Sequence, residues 1–82
     1  MLEIQFKKQA IKELKRIQPK MRQRVLDAIE KLAEDPKRTD LDIKLLTGSN
    51  YLRMRVGEYR VVFSLDGVIV NIERIAPRGS VY

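Results

Sequence analysis

The chain has 82 residues, enough for one small hydrophobic core and a single domain spanning 1–82, but too few for two. Lysine and arginine number 17 against 11 acidic residues, a net charge of +6 that favours an anionic partner, either nucleic acid or an acidic protein. Cysteine and histidine are absent, which removes disulfides, thiolate nucleophiles, zinc sites with their usual ligands and imidazole acid-base catalysis. No run approaches the roughly 18 apolar residues of a membrane span and no signal-peptide core opens the chain, so a soluble, cytoplasmic protein with no membrane partner is expected.

Leu2, Ile4 and Phe6 alternate as in a short strand. Phe6, Ala10, Leu14 and Ile17 then recur every three to four residues, with Lys7, Lys8, Lys12, Lys15 and Arg16 mostly on the other faces, which predicts an amphipathic helix. Gln18-Pro19 interrupts it, and proline in a first turn suits a second helix that buries Met21, Val25, Ala28, Ile29 and Leu32 and stops at Asp35-Pro36. The segment from Lys37 to Asn50 reads as a connection that tucks Leu41, Ile43, Leu45 and Leu46 into the core and turns at Gly48-Ser49-Asn50.

Leu52, Met54 and Val56 alternate with Tyr51, Arg53 and Arg55, the pattern of a half-buried strand. Gly57-Glu58 fits a two-residue hairpin turn with glycine first, which sets Val56 opposite Tyr59, Arg55 opposite Arg60 and Met54 opposite Val61. Asp66-Gly67 signals a second hairpin, between a strand over Tyr59 to Leu65 and another over Val68 to Ile75, and sets Arg60 opposite Glu73. The predicted order is β-α-α-β-β-β, an α+β domain whose twisted antiparallel sheet carries a helical hairpin on one face. Leu52, Met54, Val61, Phe63, Leu65, Val68, Val70 and Ile72 would pack against the helices, leaving Arg53, Arg55 and Arg60 on an uncovered face.

Two arginines directly opposite one another repel, and stability alone does not select that arrangement. A cross-strand pair with Glu73 accounts for Arg60 but leaves Arg53 and Arg55 without a local counter-charge, so an external anion is expected there. From Tyr51 onward every basic residue is arginine (53, 55, 60, 74 and 78), the side chain whose planar fork grips phosphate with two donors.

The element order, together with Leu46-Thr47-Gly48 before the first hairpin, Tyr51 to Arg60 through it and Arg78-Gly79-Ser80-Val81-Tyr82 at the end, resembles the RelE/ParE toxin superfamily over essentially the whole chain. In its RelE branch the resemblance implies a toxin of a type II toxin-antitoxin system, an endoribonuclease that enters the ribosomal A site, cuts the bound mRNA and inhibits translation. ParE-like members share the fold and act on DNA gyrase; an inactive RNA-binding or interaction domain is a third class. Position by position, Arg53 and Arg55 match the two basic residues on the strand before the hairpin that contact RNA, where some relatives carry lysine. Arg60 and Arg78 match the phosphate-stabilising arginines, and Tyr82 matches a tyrosine that stacks on a base or assists proton transfer. Pro77 stands where many relatives carry histidine. The implied partners are a cognate acidic, RelB-like antitoxin, mRNA, and the 70S ribosome or its archaeal equivalent, with no cofactor and no metal.

The implied chemistry needs little from the protein's own acids and bases. RNA brings the 2′-hydroxyl as nucleophile, so the enzyme aligns it with the scissile phosphorus and neutralises charge on the phosphoryl oxygens. Arginine, with a pKa above about 12, is a poor base; Glu73, a water held by Arg55 or a ribosomal group are the candidates. The expected products are a 2′,3′-cyclic phosphate and a 5′-hydroxyl.

Overall fold

The alternation at Leu2, Ile4 and Phe6 forms β1 (Glu3–Phe6), and the two helical periodicities form α1 (Lys8–Lys15) and α2 (Pro19–Glu34). These are followed by β2 (Asp42–Leu45), β3 (Leu52–Val56), β4 (Tyr59–Asp66) and β5 (Ile69–Pro77) in a computed structural model that describes residues 1–37, 40–46 and 48–77. The five strands make one sheet in the order β1-β5-β4-β3-β2. The core lies between helices and sheet: Ala10 of α1, Ile17 of the junction that follows it, Val25, Ile29 and Leu32 of α2, and Met54, Val61, Phe63, Val70, Ile72 and Ile75 of the sheet are buried in one cluster.

Short-range chemistry fixes the helix ends. Pro19 opens α2, where its missing N–H costs nothing. Arg22, one turn into α2, donates from Nη2 to the carbonyls of Ile17 (2.9 Å) and Lys15 (3.2 Å) and from Nε to that of Leu14 (3.2 Å). A guanidinium thus adds donors to carbonyls at the end of α1 and in the junction after it, and places positive charge at the negative end of the helix dipole. At the other end of α2, Leu2 N–H donates to Ala33 O (2.8 Å) and ties that helix to β1.

The α+β architecture agrees with the expectation, with three differences of detail. First, the presumed connection contains β2, which pairs antiparallel with β3. Second, the sheet is mixed, because β1 runs parallel to β5 with Ile4 beside Val70 and Phe6 beside Ile72. The β1 strand pairs with the last strand in the chain rather than with its sequence neighbour, so no hairpin constrains its direction. Third, the second hairpin turns at Gly67-Val68, not Asp66-Gly67: Asp66 pairs with Ile69, and Gly67 takes φ +60°, as glycine does at the first position of such a turn. Val68 sits in the turn, 68% exposed, and Leu65 is 43% exposed, so neither packs against the helices.

Candidate functional site

The first hairpin has the register its turn requires: Val56 opposite Tyr59, Arg55 opposite Arg60 and Met54 opposite Val61. Gly57 has φ +57°, and a Cβ built there would lie 2.9 Å from Met21 Cε, so both backbone conformation and the approach of α2 call for glycine. Because Met54 and Val61 belong to the core, Arg53, Arg55 and Arg60 share the sheet face turned away from the helices.

That face differs from the expected one in three ways. The pairing of Arg60 with Glu73 does not form: the turn at Gly67-Val68 already displaces the β4–β5 register, and an irregularity between Val62 and Phe63 shifts it further and brings Ala76 opposite Arg60. Val62 pairs with Arg74 and Phe63 with Ile72, so Glu73 falls at the bulge between them. Arg53 is not projecting into solvent: it is 6% exposed, and Val62 and Ala76 on the same side are also buried. The reason is β2, which turns β3 from an edge strand into an interior one and sets Lys44 beside Arg53.

The third difference is a counter-charge. Asp42 of β2 lies opposite Arg55, and its Oδ2 is 3.8 Å from Arg55 Nε and 3.7 Å from Arg53 Nη1. Both separations are those of ion pairs rather than hydrogen bonds. Arg53 Nη1 is buried with no hydrogen-bond acceptor among the described residues. Asp42 therefore offsets part of the repulsion between cross-strand arginines and leaves donor capacity unused. The alternation of Leu41, Ile43 and Leu45 with Asp42 and Lys44 was the sequence signal for this strand and its acid. Arg60 is half-buried. Arg78 and Tyr82 lie outside the described residues.

Arg74 has a different role from the other arginines. It donates from Nη2 (2.8 Å) and Nε (3.1 Å) to the Glu13 carboxylate of α1, which also accepts from Ile75 N–H at 2.8 Å. Beyond Ile72 the outer edge of β5 has no β1 partner, and this carboxylate takes the place of a strand there. Burial opposes ionisation of Glu13, but the hydrogen bonds from Arg74 and Ile75 and the guanidinium charge outweigh it and hold the carboxyl below its usual range. Arg74 is thus a structural clamp between α1 and the sheet. Concave space lies elsewhere: an open cleft of about 610 Å³ is lined by Arg16, Met21, Arg24 and the turn at Gly57, Glu58 and Tyr59, away from the arginine face. Among the described residues, no cluster of three or more acidic side chains has the geometry of a metal site, and no helix is long and apolar enough to cross a membrane.

A two-helix layer on one face of a five-stranded mixed sheet is the architecture of RelE-like toxins. A family model for the ParE toxin of type II toxin-antitoxin systems, parDE, matches residues 4–82, and the chain belongs to this family. Among curated proteins it is similar to toxin RelE3 of Methanocaldococcus jannaschii, 33% identical over 84 residues that cover 99% of this chain and 96% of the relative. Among solved structures it resembles the RelB-RelE antitoxin-toxin complex from Methanococcus jannaschii (TM-score 0.78, 34% identity, 94% of this chain and 93% of that one). It also resembles the archaeal RelE-RelB complex from Pyrococcus horikoshii OT3 (TM-score 0.82, 27% identity, 96% and 97%). The isolated Escherichia coli RelE toxin shares the fold at 17% identity and a TM-score of 0.79, over 95% of this chain and 85% of that one.

Proposed function

We propose that this RelE-like toxin is an endoribonuclease that cuts mRNA in the ribosomal A site, with Arg53, Arg55 and Arg60 binding the scissile phosphate region and Arg78 and Tyr82 completing the site. The observation that carries the reading is the arginine triad on one sheet face, with a buried Arg53 Nη1 donor that no acceptor among the described residues satisfies. An unmade buried donor costs about 1–3 kcal/mol, a cost that phosphate binding would remove. The RelE names of the relatives favour RNA over gyrase as the target. The RNA 2′-hydroxyl supplies the nucleophile and the guanidinium groups neutralise the phosphoryl oxygens as charge builds on them. Asp42 competes for the same guanidinium groups until phosphate arrives. By analogy with the RelB-bound relatives, the chain is held inactive by an acidic, RelB-like antitoxin drawn to its positive surface.

The test is cleavage of mRNA bound to programmed ribosomes, with product ends mapped. A cut within the A-site codon that leaves a 2′,3′-cyclic phosphate is expected, and Arg60→Ala should lower the rate by about 10²-fold, as when one preorganised donor is lost. Intact ribosomal mRNA combined with inhibition of gyrase supercoiling would overturn the reading.

A further inference from the structure

We propose that the free edge of β2 is a self-association surface, through which two copies of this chain pair their β2 strands antiparallel about a two-fold axis at Ile43. β2 lies at the end of the sheet, with β3 on one side and, among the described residues, no strand on the other. Leu46 N–H donates to Tyr51 O at 2.9 Å, so the hydrogen-bonded positions facing β3 are the even-numbered residues of this strand. The main-chain groups of Ile43 and Leu45 therefore point away from the sheet. Such an edge is a template for another strand unless it is blocked.

The segment Leu41-Asp42-Ile43-Lys44-Leu45 reads as its own complement when reversed. Centring an antiparallel pair on Ile43 brings the two Ile43 main chains together as a hydrogen-bonding pair, in the phase the free edge offers. It sets Asp42 of each copy opposite Lys44 of the other and Leu45 opposite Leu41 of the other. Leu45 is 65% exposed, an unusual position for leucine on an open strand edge, and the second copy would cover it. Asp42 and Lys44 are both exposed, so each is available for a cross-strand ion pair. A lysine on an edge strand ordinarily discourages pairing; here the partner's aspartate is in register to accept it.

The consequence reaches the arginine face. Lys44 of the second copy would stand beside Asp42, adding a third cation to the row that already holds Arg55 and Arg60, and drawing the carboxylate away from Arg53 and Arg55. Pairing thus joins the two arginine faces into one surface and frees their donors for an anion. The inference rests on the strand edge alone and stands or falls separately from the ribonuclease reading. The contact is one short strand, small against the area of a standard interface, so the dimer is weak and dissociates on dilution.

Sedimentation velocity of the full chain over a dilution series tests this, with circular dichroism to establish that each variant is folded. The parent should associate reversibly. Asp42→Lys and Lys44→Asp should each raise the dimer dissociation constant about tenfold or more, because every interface then holds two like-charge pairs. Mixing the two variants in equal amounts, or combining them in one chain, should restore association to near the parental level. If Asp42→Lys does not fold, Lys44→Asp and Leu45→Arg, both at exposed positions, carry the test with the same expected weakening. A parent that stays monomeric throughout, or association unmoved by Lys44→Asp, overturns the proposal.

Discussion

Glu13 shows how much one side chain carries in a domain of this size. It accepts from both the Arg74 guanidinium and the Ile75 main chain, so Glu13→Ala leaves a strand-edge N–H without its partner and unties α1 from β5. The expected cost is about 2 kcal/mol at neutral pH, the range for hydrogen bonds to a charged group, read by urea denaturation. The pH dependence has a definite sign. The folded carboxyl lies below its unfolded value, near about 4.3, so its contribution is complete above that value and is lost as pH falls through the folded pKa. The gap between parent and Glu13→Ala should therefore be constant from neutrality to about pH 5 and shrink below it. A gap that widens on acidification would show that Glu13 is not held ionised. Two glycines make a second comparison. Gly57 and Gly67 both have positive φ, but only Gly57 has a neighbour where a Cβ would go. Gly67→Ala should cost the left-handed backbone penalty, about 1–2 kcal/mol, and Gly57→Ala that penalty plus the displacement of Met21. In a Met21→Ala background, Gly57→Ala should cost the backbone penalty alone. Equal costs at the two glycines would mean that the Met21 contact carries no energy.

At the scale of elements, the end of α1 depends on Arg22 of α2 rather than on any residue of its own. Arg22→Ala removes donors to three carbonyls and should cost about 1 kcal/mol, with faster amide exchange confined to the α1–α2 junction. Arg22→Lys should recover little of it, because an ammonium does not span carbonyls that a planar fork reaches together. Unchanged exchange at Arg16 and Ile17 in Arg22→Ala would remove the capping role. Neither this cap nor the Glu13–Arg74 clamp was legible in the sequence. The clamp joins residues 61 apart, and no local pattern announces which charges meet at that distance. The helices and the first hairpin were legible, since a period of 3.6 and a glycine-first turn each dictate geometry within a few residues. β2 was half legible: Leu41, Ile43 and Leu45 do alternate, but the strand is four residues long and no two-residue turn links it to β3. As a loop this segment would leave β3 at the edge of the sheet and Arg53 in solvent; as a strand it makes β3 interior and brings Asp42 to the arginines. The β4–β5 bulge was not legible, because one extra residue leaves no mark in the Val-Phe and Ile-Glu-Arg-Ile runs that contain it. The turn at Gly67-Val68 and that extra residue together move Glu73 away from Arg60, and with it the presumed neutralising pair.

For the molecule as a whole, the net charge of +6 and the small arginine face set what RNA binding should look like without a ribosome. Single-stranded RNA loses about 0.7 in the slope of log K against log salt for each phosphate neutralised, so contacts by Arg53, Arg55 and Arg60 predict a slope near about −2. Binding of free RNA should accordingly be weak at physiological salt, and cutting of free RNA slow. The two β3 arginines should then separate. Arg55 has a side chain 46% exposed and should act chiefly as a phosphate contact, so Arg55→Ala should remove about 0.7 from the slope with little loss of stability. Arg53 has a side chain only 7% exposed, and Arg53→Ala should chiefly destabilise the sheet by leaving a void between β2 and β4. Asp42→Asn supplies the opposite sign: with the competing carboxylate neutral, RNA should bind several-fold tighter at low salt and the advantage should fade as salt rises, at a stability cost of about 0.2–1 kcal/mol. Fluorescence anisotropy of a short labelled RNA against a salt series reads all three variants. If Asp42→Asn binds no tighter than the parent, Asp42 does not hold the arginines back, and the cluster is a structural ion-pair network rather than a phosphate site.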